Sequence, residues 1–333
     1  MIVNVISESI FFPKGHGVHT AFLNTVEMLK QAGIDVLINS NKKADITHIH
    51  TIGPYALIKL LSTKKKIVSA HLIPESFIGS LVAAKYWQFE AREYLRFFYN
   101  RANLVLAVAP LVKTRLQEIG VSRPVEILPN PVDANLFKED IKLKTEGRKL
   151  LGLKPEDFVV IGVGQIQPRK GIEDFAIMAS KLKSIKFVWV GGKPFKQLTV
   201  GDKEMNKILK NKPGNFLMPG SFSYNEMPKI YNAANAFFFP SYQENAPMAI
   251  IEAASCSLPL VLRDIKEYKL LYKNGYLPGD TVESFTMIIK KLLVDKDYYH
   301  HAKKDSRILS SKFSFDILAD RLILLYNSVL GAK

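Results

Sequence analysis

The chain has 333 residues, 47% of them hydrophobic and 23% charged, enough for two ordinary α/β domains with their own cores. Its single cysteine, Cys256, excludes an intramolecular disulfide framework and a cysteine-based metal cluster, and fits a reducing compartment. A formal charge of +15 asks for a polyanionic neighbourhood: nucleic acid, an anionic bilayer surface or a nucleotide diphosphate.

No zinc-finger, RNP-type or helix-turn-helix signature accompanies that charge, so nucleic acid is not expected as a partner. The seven histidines lack metal spacing apart from His48-Ile-His50 and His300-His301, which read as ordinary strand and helix residues, and no metal site is expected. The opening run Met1-Ile-Val-Asn-Val-Ile has no basic n-region and does not read as a signal peptide. No stretch approaches the roughly 18 apolar residues of a spanning helix.

In chain order, strand-like segments at 2–7, 35–38, 46–50, 66–70 and 104–109 alternate with helical ones at 18–31, 53–61, 79–101 and 111–119. A charged, proline-free stretch at 138–149 follows, and the domain junction is placed within 130–154. A second alternating series has strands at 158–161, 186–190, 215–218, 236–239 and 260–262, and residues 316–330 form an amphipathic helix. Such alternation predicts two successive doubly wound parallel sheets of Rossmann-like type. The expected domains are 1–140, 150–312 and a C-terminal helical segment 313–333.

Ligands of such sheets bind at the carboxyl ends of strands, and four segments fall there. Gly15 and Gly17 punctuate the loop Pro13-Lys-Gly-His-Gly-Val, which opens the first helix; a plain tight turn would use glycine in the same way. His71 follows the strand ending at Ala70, and a lone histidine there serves structure as readily as chemistry. Gly164 ends the strand 158–161 and its extension, and Arg169-Lys170-Gly171 supplies two adjacent cations beside a glycine-bearing loop, which suits a diphosphate. Pro240-Ser241 ends the run Ala236-Phe-Phe-Phe, with Glu244 in the loop beyond and Glu252 one to two turns into a helix. The backbone amides of Asn245, Ala246 and Met248 stand near that helix start, where partial positive charge favours an anion; Pro247 has no amide to add. Two carboxylates so placed can bracket one extended ligand, and spacing alone fits as well an exposed loop acid together with a surface helix acid.

Glu244-x7-Glu252 followed by a small-residue helix and Pro259-Leu-Val-Leu262 resembles the donor-site signature of the retaining glycosyltransferases of family 4, which have the GT-B fold. Gly164-x4-Arg169-Lys170-Gly171 resembles that family's Gly-Arg-x4-Lys-Gly pattern, with Gln165 where the family usually has Arg. The glycine loop at 15–17, His71, and Pro129-Asn-Pro-Val-Asp133 with Phe137 resemble further family segments in the same order, Pro131 replacing a glycine. The resemblance spans almost the whole chain. It implies two doubly wound domains facing a cleft, with the last helix crossing back to the N-terminal domain. It gives Glu244 the donor sugar, Glu252 the ribose, Arg169 and Lys170 the departing diphosphate, and His71 the hexose near the reacting carbon. UDP-hexose is then a substrate, with no tightly bound cofactor and no catalytic metal. Asn235 and Ser257 depart from a usual Asp and Gly.

Residues 59–115 carry ten Lys and Arg against Glu75, Glu90 and Glu93, and hold an aromatic-rich helical stretch. At about 100° per residue, Lys85, Arg92 and Arg96 share one face and Trp87, Ala91, Tyr94 and Phe98 the opposite one. Either the aromatic stripe packs on the N-terminal sheet, or part of the helix lies at a bilayer with its cations on anionic headgroups. With His71-Leu-Ile-Pro-Glu-Ser76, this region resembles bacterial glucosyltransferases that extend monoglycosyl-diacylglycerol to the diglycosyl lipid. That implies a peripheral enzyme on the cytoplasmic face, with a UDP-sugar and a glycolipid acceptor as partners. The alternatives are a soluble family 4 transferase acting on a polysaccharide or cell-wall glycan, and an inactive nucleotide-sugar or polyanion-binding protein. Glucose against galactose, the linkage, the number of sugars added and the oligomeric state are not legible in the sequence.

Overall fold

A computed structural model describes residues 1–11, 17–74, 76, 88–192 and 210–331. The chain divides into two compact units, the first formed by the described residues up to 133 together with 313–331, the second by those of 134–312.

The first unit is a parallel sheet in the order β2-β1-β3-β4-β5-β6 among the described residues. Its strands are β1 (Ile2–Ile6), β2 (Asp35–Ile38), β3 (Ile46–Ile49), β4 (Lys66–Ala70), β5 (Leu104–Ala107) and β6 (Val125–Ile127). Every residue of β3 and β5 is buried, because helices cover both faces of a parallel sheet and its central strands become continuous apolar runs. The strand order reverses between β1 and β3, the kind of switch point at which such sheets bind ligands. The carboxylate of Glu8 accepts from the amides of Gly53 and Tyr55 at 2.8 and 2.7 Å, satisfying the start of the helix Pro54–Ser62 from 45 residues away. A side chain at Gly53 would strike that carboxylate. The helix Phe315–Leu330 belongs to this unit: it buries Phe315, Leu318, Ala319, Leu322 and Tyr326, and the amide of Val132 bonds the Phe313 carbonyl at 2.8 Å.

The second sheet runs β12-β11-β10-β7-β8-β9. It comprises β7 (Val159–Val163), β8 (Lys186–Val190), β9 (Phe216–Gly220), β10 (Ala236–Phe239), β11 (Leu260–Arg263) and β12 (Leu277–Gly279). Its reversal falls between β7 and β10, paired through Val160 with Ala236 and Ile161 with Phe237. Trp189, Phe175, Phe238 and Phe239 stack about that pair, filling the core beneath the two strand ends.

The doubly wound expectation holds, and the structure adds three details. The stretch 138–149 is a helix, Ile141–Leu150, whose start is capped by the Asp140 carboxylate accepting from Lys142 and Leu143 at 2.8 and 3.1 Å. Edge strands β6 and β12 were not apparent, being three residues long and, in β12, carrying Pro278. In the helix Gln88–Tyr99, Leu95, Phe98 and Tyr99 are buried and Tyr94 is half-buried, its hydroxyl donating to the Ile52 carbonyl, so this stripe packs on the unit. Phe89 and Phe97 point outward at 71% and 41% exposure, beside exposed Arg92 and Arg96. Lys85 and Trp87 lie outside the described residues.

Two departures from the family pattern have structural accounts. Asn235 precedes β10 at the amino end of the sheet, opposite the ligand edge. Its side-chain oxygen accepts from the buried Arg148 guanidinium and from the Val159 amide, both at 2.9 Å. The neutral amide oxygen does there what a carboxylate would. Ser257 has φ 58°, in the left-handed region, which a Cβ disfavours by about 1–2 kcal/mol per residue. Ser257→Gly is therefore expected to stabilise the protein by about 1 kcal/mol, less a part returned to the unfolded chain's entropy, read as a higher urea midpoint at unchanged slope.

Candidate active site

The switch point of the second sheet brings two loops together. After β7 the chain passes Gly164, makes a short 3-10 turn at Pro168–Lys170, and enters the helix Ile172–Lys181 through Gly171 at φ 71°. A Cβ at Gly171 would lie 2.3 Å from the carbonyl oxygen of Pro240, so both the left-handed backbone and the close approach to the β10 end require glycine. The amide of Tyr242 and the hydroxyl of Ser241 then reach the Arg169 carbonyl at 2.8 and 3.0 Å, stitching the two loops.

Lys170 and Glu244 meet at this seam. The Lys170 ammonium donates to Glu244 Oε1, the Arg169 guanidinium stands 3.5 Å from the same oxygen, and Ser241 Oγ lies 2.7 Å away. Both members of the pair are buried, with Lys170 Nζ 5.0 Å from the centre of the Phe239 ring. Burial draws the Lys170 pKa down to about 8 against the pull of Glu244. Burial pushes the Glu244 carboxyl up, but Lys170 and then Arg169 outweigh it and hold it below the usual range.

Gln165, which stands where the family has Arg, takes part in a relay. Gln167 donates to it at 3.3 Å, and Arg169 Nε donates to Gln167 Oε1 at 3.0 Å. Arg169 also donates to the Gln243 carbonyl at 3.0 Å, which leaves its guanidinium a quarter exposed beside Glu244. The fold thus assembles Arg169, Lys170 and Glu244 in one place. Gly164 has ordinary room for a Cβ, 3.6 Å from Phe239 and 3.8 Å from Lys170, so packing alone does not demand glycine there.

Glu252 lies buried in the helix Met248–Ser255, with Asn245 and Ala246 half-buried in the loop before it and the Met248 side chain buried at its first turn. The Tyr231 hydroxyl donates to Glu252 Oε2 at 2.7 Å. Burial raises the Glu252 pKa to about 7, with the Tyr231 bond only partly opposing it.

A network missed in the sequence braces the β10 end. Arg263 donates to the Pro240 carbonyl at 2.9 Å, pairs with Asp174, and lies 4.0 Å over the Tyr242 ring, while the Tyr242 hydroxyl donates to Asp174 at 2.7 Å. The cation at the end of an otherwise apolar strand, Leu260-Val-Leu-Arg263, was the available signal.

In the first unit, Gly17 begins the helix Gly17–Gln31 with open space at its Cβ, and Gly15 lies outside the described residues. His71, just past β4, is half-buried with its ring stacked on His50, which follows β3; the His48 ring packs in turn against His50, tilted by 43°. Reading His48 and His50 as ordinary strand residues overlooked this row of rings, which forms because β3 and β4 are neighbours. No group of three or more His, Cys, Asp or Glu among the described residues is placed to hold a metal ion.

Comparison with known proteins agrees with this geometry. The family model for glycosyltransferase family 4 matches residues 2–136, and that for glycosyl transferases group 1 matches residues 144–308. The alpha-galactosylglucosyldiacylglycerol synthase of Streptococcus pneumoniae (strain ATCC BAA-255 / R6) is 34% identical over 96% of this chain and 88% of its own length. The processive diacylglycerol alpha-glucosyltransferase of Acholeplasma laidlawii is 27% identical over all of both chains. The structure of Anabaena HepE with UDP-glucose superposes with a TM-score of 0.77 at 18% identity, covering 98% of this chain and all of that one. The chain belongs to the family 4 glycosyltransferases of GT-B fold, and it is an enzyme of the glycosyltransferase class.

The raised Glu252 pKa carries a stability consequence. Its folded pKa of about 7 exceeds the ordinary 4.5, so the group's contribution is full below about pH 4.5 and is lost as pH rises through 7. Above that, the buried carboxylate costs roughly 3 kcal/mol relative to the unfolded chain. Glu252→Gln is expected to gain on the wild type between pH 5 and pH 8, as measured by urea midpoints of both proteins at each pH.

Proposed function

We propose that this enzyme is a retaining hexosyltransferase that moves a hexose, glucose in the first instance, from UDP to a hydroxyl of a membrane glycolipid such as monoglucosyl-diacylglycerol. The observation that carries the donor half is the convergence of Lys170, Arg169 and Glu244 at the second sheet's switch point. Two relatives named for diacylglycerol glycolipids, each matched over nearly its whole length, support the acceptor half.

In this reading the bond between the hexose C1 and the diphosphate oxygen breaks while the acceptor oxygen bonds to C1 on the same face. The acceptor proton passes to the departing diphosphate. Lys170 and Arg169 stabilise the negative charge that grows on the leaving group, the term usually largest in such a reaction. Glu244 sets the ammonium in place and accepts from hexose hydroxyls. Glu252 takes the ribose hydroxyls as a carboxylate, with the loop amides of Asn245, Ala246 and Met248 toward the diphosphate. Gly164 gives the backbone close access to it, Gly15 and Gly17 do the same from the first loop, and His71 contacts the hexose. No resident cofactor enters the scheme.

The enzyme works on this reading as a peripheral protein on the cytoplasmic face. Exposed Phe89, Ile58 and Leu61 in the first unit, at 71%, 63% and 53%, accompany the basic excess of residues 59–115. No helix among the described residues is long and apolar enough to cross a membrane. Each cation near an anionic surface contributes on the order of 1 kcal/mol, so several suffice to hold the protein there.

Purified protein is to be given radiolabelled UDP-glucose or UDP-galactose with liposomes containing monoglucosyl-diacylglycerol, with and without anionic phospholipid. A labelled diglycosyl lipid is expected, more of it with anionic lipid. Lys170→Met and Glu244→Gln are expected to lower kcat/KM on the order of 100-fold or more while remaining folded by circular dichroism. Donor binding without lipid product would remove the acceptor assignment, and transfer to a soluble glycan would replace it. Phe89→Ser is expected to weaken sedimentation with anionic vesicles several-fold without lowering turnover of detergent-dispersed acceptor.

A further inference from the structure

His48 and His50 stand two residues apart at the end of β3, so their side chains project to one face of the sheet. His48 is fully engaged, its Nδ1 2.7 Å from the Tyr326 hydroxyl and its Nε2 2.8 Å from Ser69 Oγ. His50 is different. Its Nδ1 lies 3.2 Å from Nε2 of His71, with ring centres 5.3 Å apart, while its own Nε2 is buried and has no hydrogen-bond partner among the described residues.

Burial draws the pKa of His50 well below the ordinary value and that of His71 to about 4, so both rings are neutral at physiological pH. Between two neutral imidazoles, one facing nitrogen must donate and the other accept. If His71 Nε2 donated, His50 would accept at Nδ1 and carry its proton on Nε2, where a buried N–H would have no acceptor. Orphaned buried donors are rare and costly, and an unused lone pair is less so. The reverse arrangement meets both conditions: His50 Nδ1–H donates, its Nε2 holds only a lone pair, and His71 accepts at Nε2 with its proton on Nδ1.

We propose that His50 is a positioning residue that holds His71 in the Nδ1–H tautomer and fixes its ring plane, so that His71 offers a donor N–H to the hexose. The inference rests on the reading of His71 as the hexose contact and extends it to the residue that orients it. His48, whose two ring nitrogens are taken by Tyr326 and Ser69, and a simple packing residue at position 50 do not supply this function, because it is a ring nitrogen of His50 that faces His71 Nε2.

The test uses the full chain with 15N-labelled histidine side chains, His71 being assigned through His71→Gln. In the wild type, His71 is expected to show a protonated Nδ1 and a bare Nε2. His50→Phe should lose that tautomer and lower kcat for lipid glycosylation on the order of 10- to 100-fold with little change in KM for UDP-hexose. His50→Asn, whose side-chain N–H takes the place of Nδ1–H, should restore both the tautomer and most of kcat, which a merely structural role would not predict. An Nε2–H tautomer in the wild type, an unchanged tautomer in His50→Phe, or a kcat loss that asparagine does not rescue would overturn the proposal. Wild-type transfer by His71→Gln would instead overturn the reading of His71, with the tautomer measured independently of it.

Discussion

A lysine and a glutamate buried together at the ends of adjacent parallel strands set the terms for the second unit. Each charge is costly alone in that setting, since burial raises the carboxyl and lowers the ammonium pKa, and each partner opposes that shift in the other. The pair therefore requires that the β7 and β10 loops be locked in register. Much of the local structure does that: Gly171 in the left-handed region against the Pro240 carbonyl, Ser241 and Tyr242 on the Arg169 carbonyl, and Arg263 reaching Pro240 from β11. The apolar stack of Trp189, Phe175, Phe238 and Phe239 underneath makes the strand ends a rigid platform.

The two switch points treat charge in opposite ways. In the second unit the chain gathers two cations around one carboxylate, an arrangement suited to an anionic leaving group. In the first, three imidazoles, two of them buried and His71 half-buried, stand in a row and are kept neutral, so they can exchange hydrogen bonds without holding charge. Tyr326 of the last helix completes the row at His48, which ties the folding of the C-terminal segment to the arrangement of rings at the ends of β3 and β4. Such a link is possible because that helix buries its apolar stripe on the same unit.

Legibility in the sequence followed the strength of local pattern. Central strands such as Ala236–Phe239 and Ile46–Ile49 were readable because a parallel strand buried on both faces is a short unbroken apolar run. Edge strands β6 and β12 bury less, carry Glu126 and Pro278, and have no such run. The helix Ile141–Leu150 was hidden by its charge, though Asp140 ahead of it was a readable cap. Lys170, Arg169 and Glu244 were found because motif and strand end coincide. Their partners Ser241 and Gln167, and Arg263 that braces the same loop through Pro240 and Asp174, were not, because each acts through a contact from 2 to 89 residues away that no spacing rule announces.

Sequence alone determined two doubly wound α/β sheets, the candidate loops at their strand ends and a resemblance to the family 4 glycosyltransferases, because hydrophobic periodicity and short motifs are properties of neighbouring residues. Tertiary structure decided which of those residues share a proton or a charge. Glu244 became a buried counter-ion, Glu252 a carboxyl titrating near neutrality, Asn235 a structural acceptor, and His50 the partner of His71. Each of these depends on desolvation and on distances of about 3 Å between atoms brought together by strand pairing. Those quantities are set by the packed sheet and have no counterpart in the order of residues along the chain.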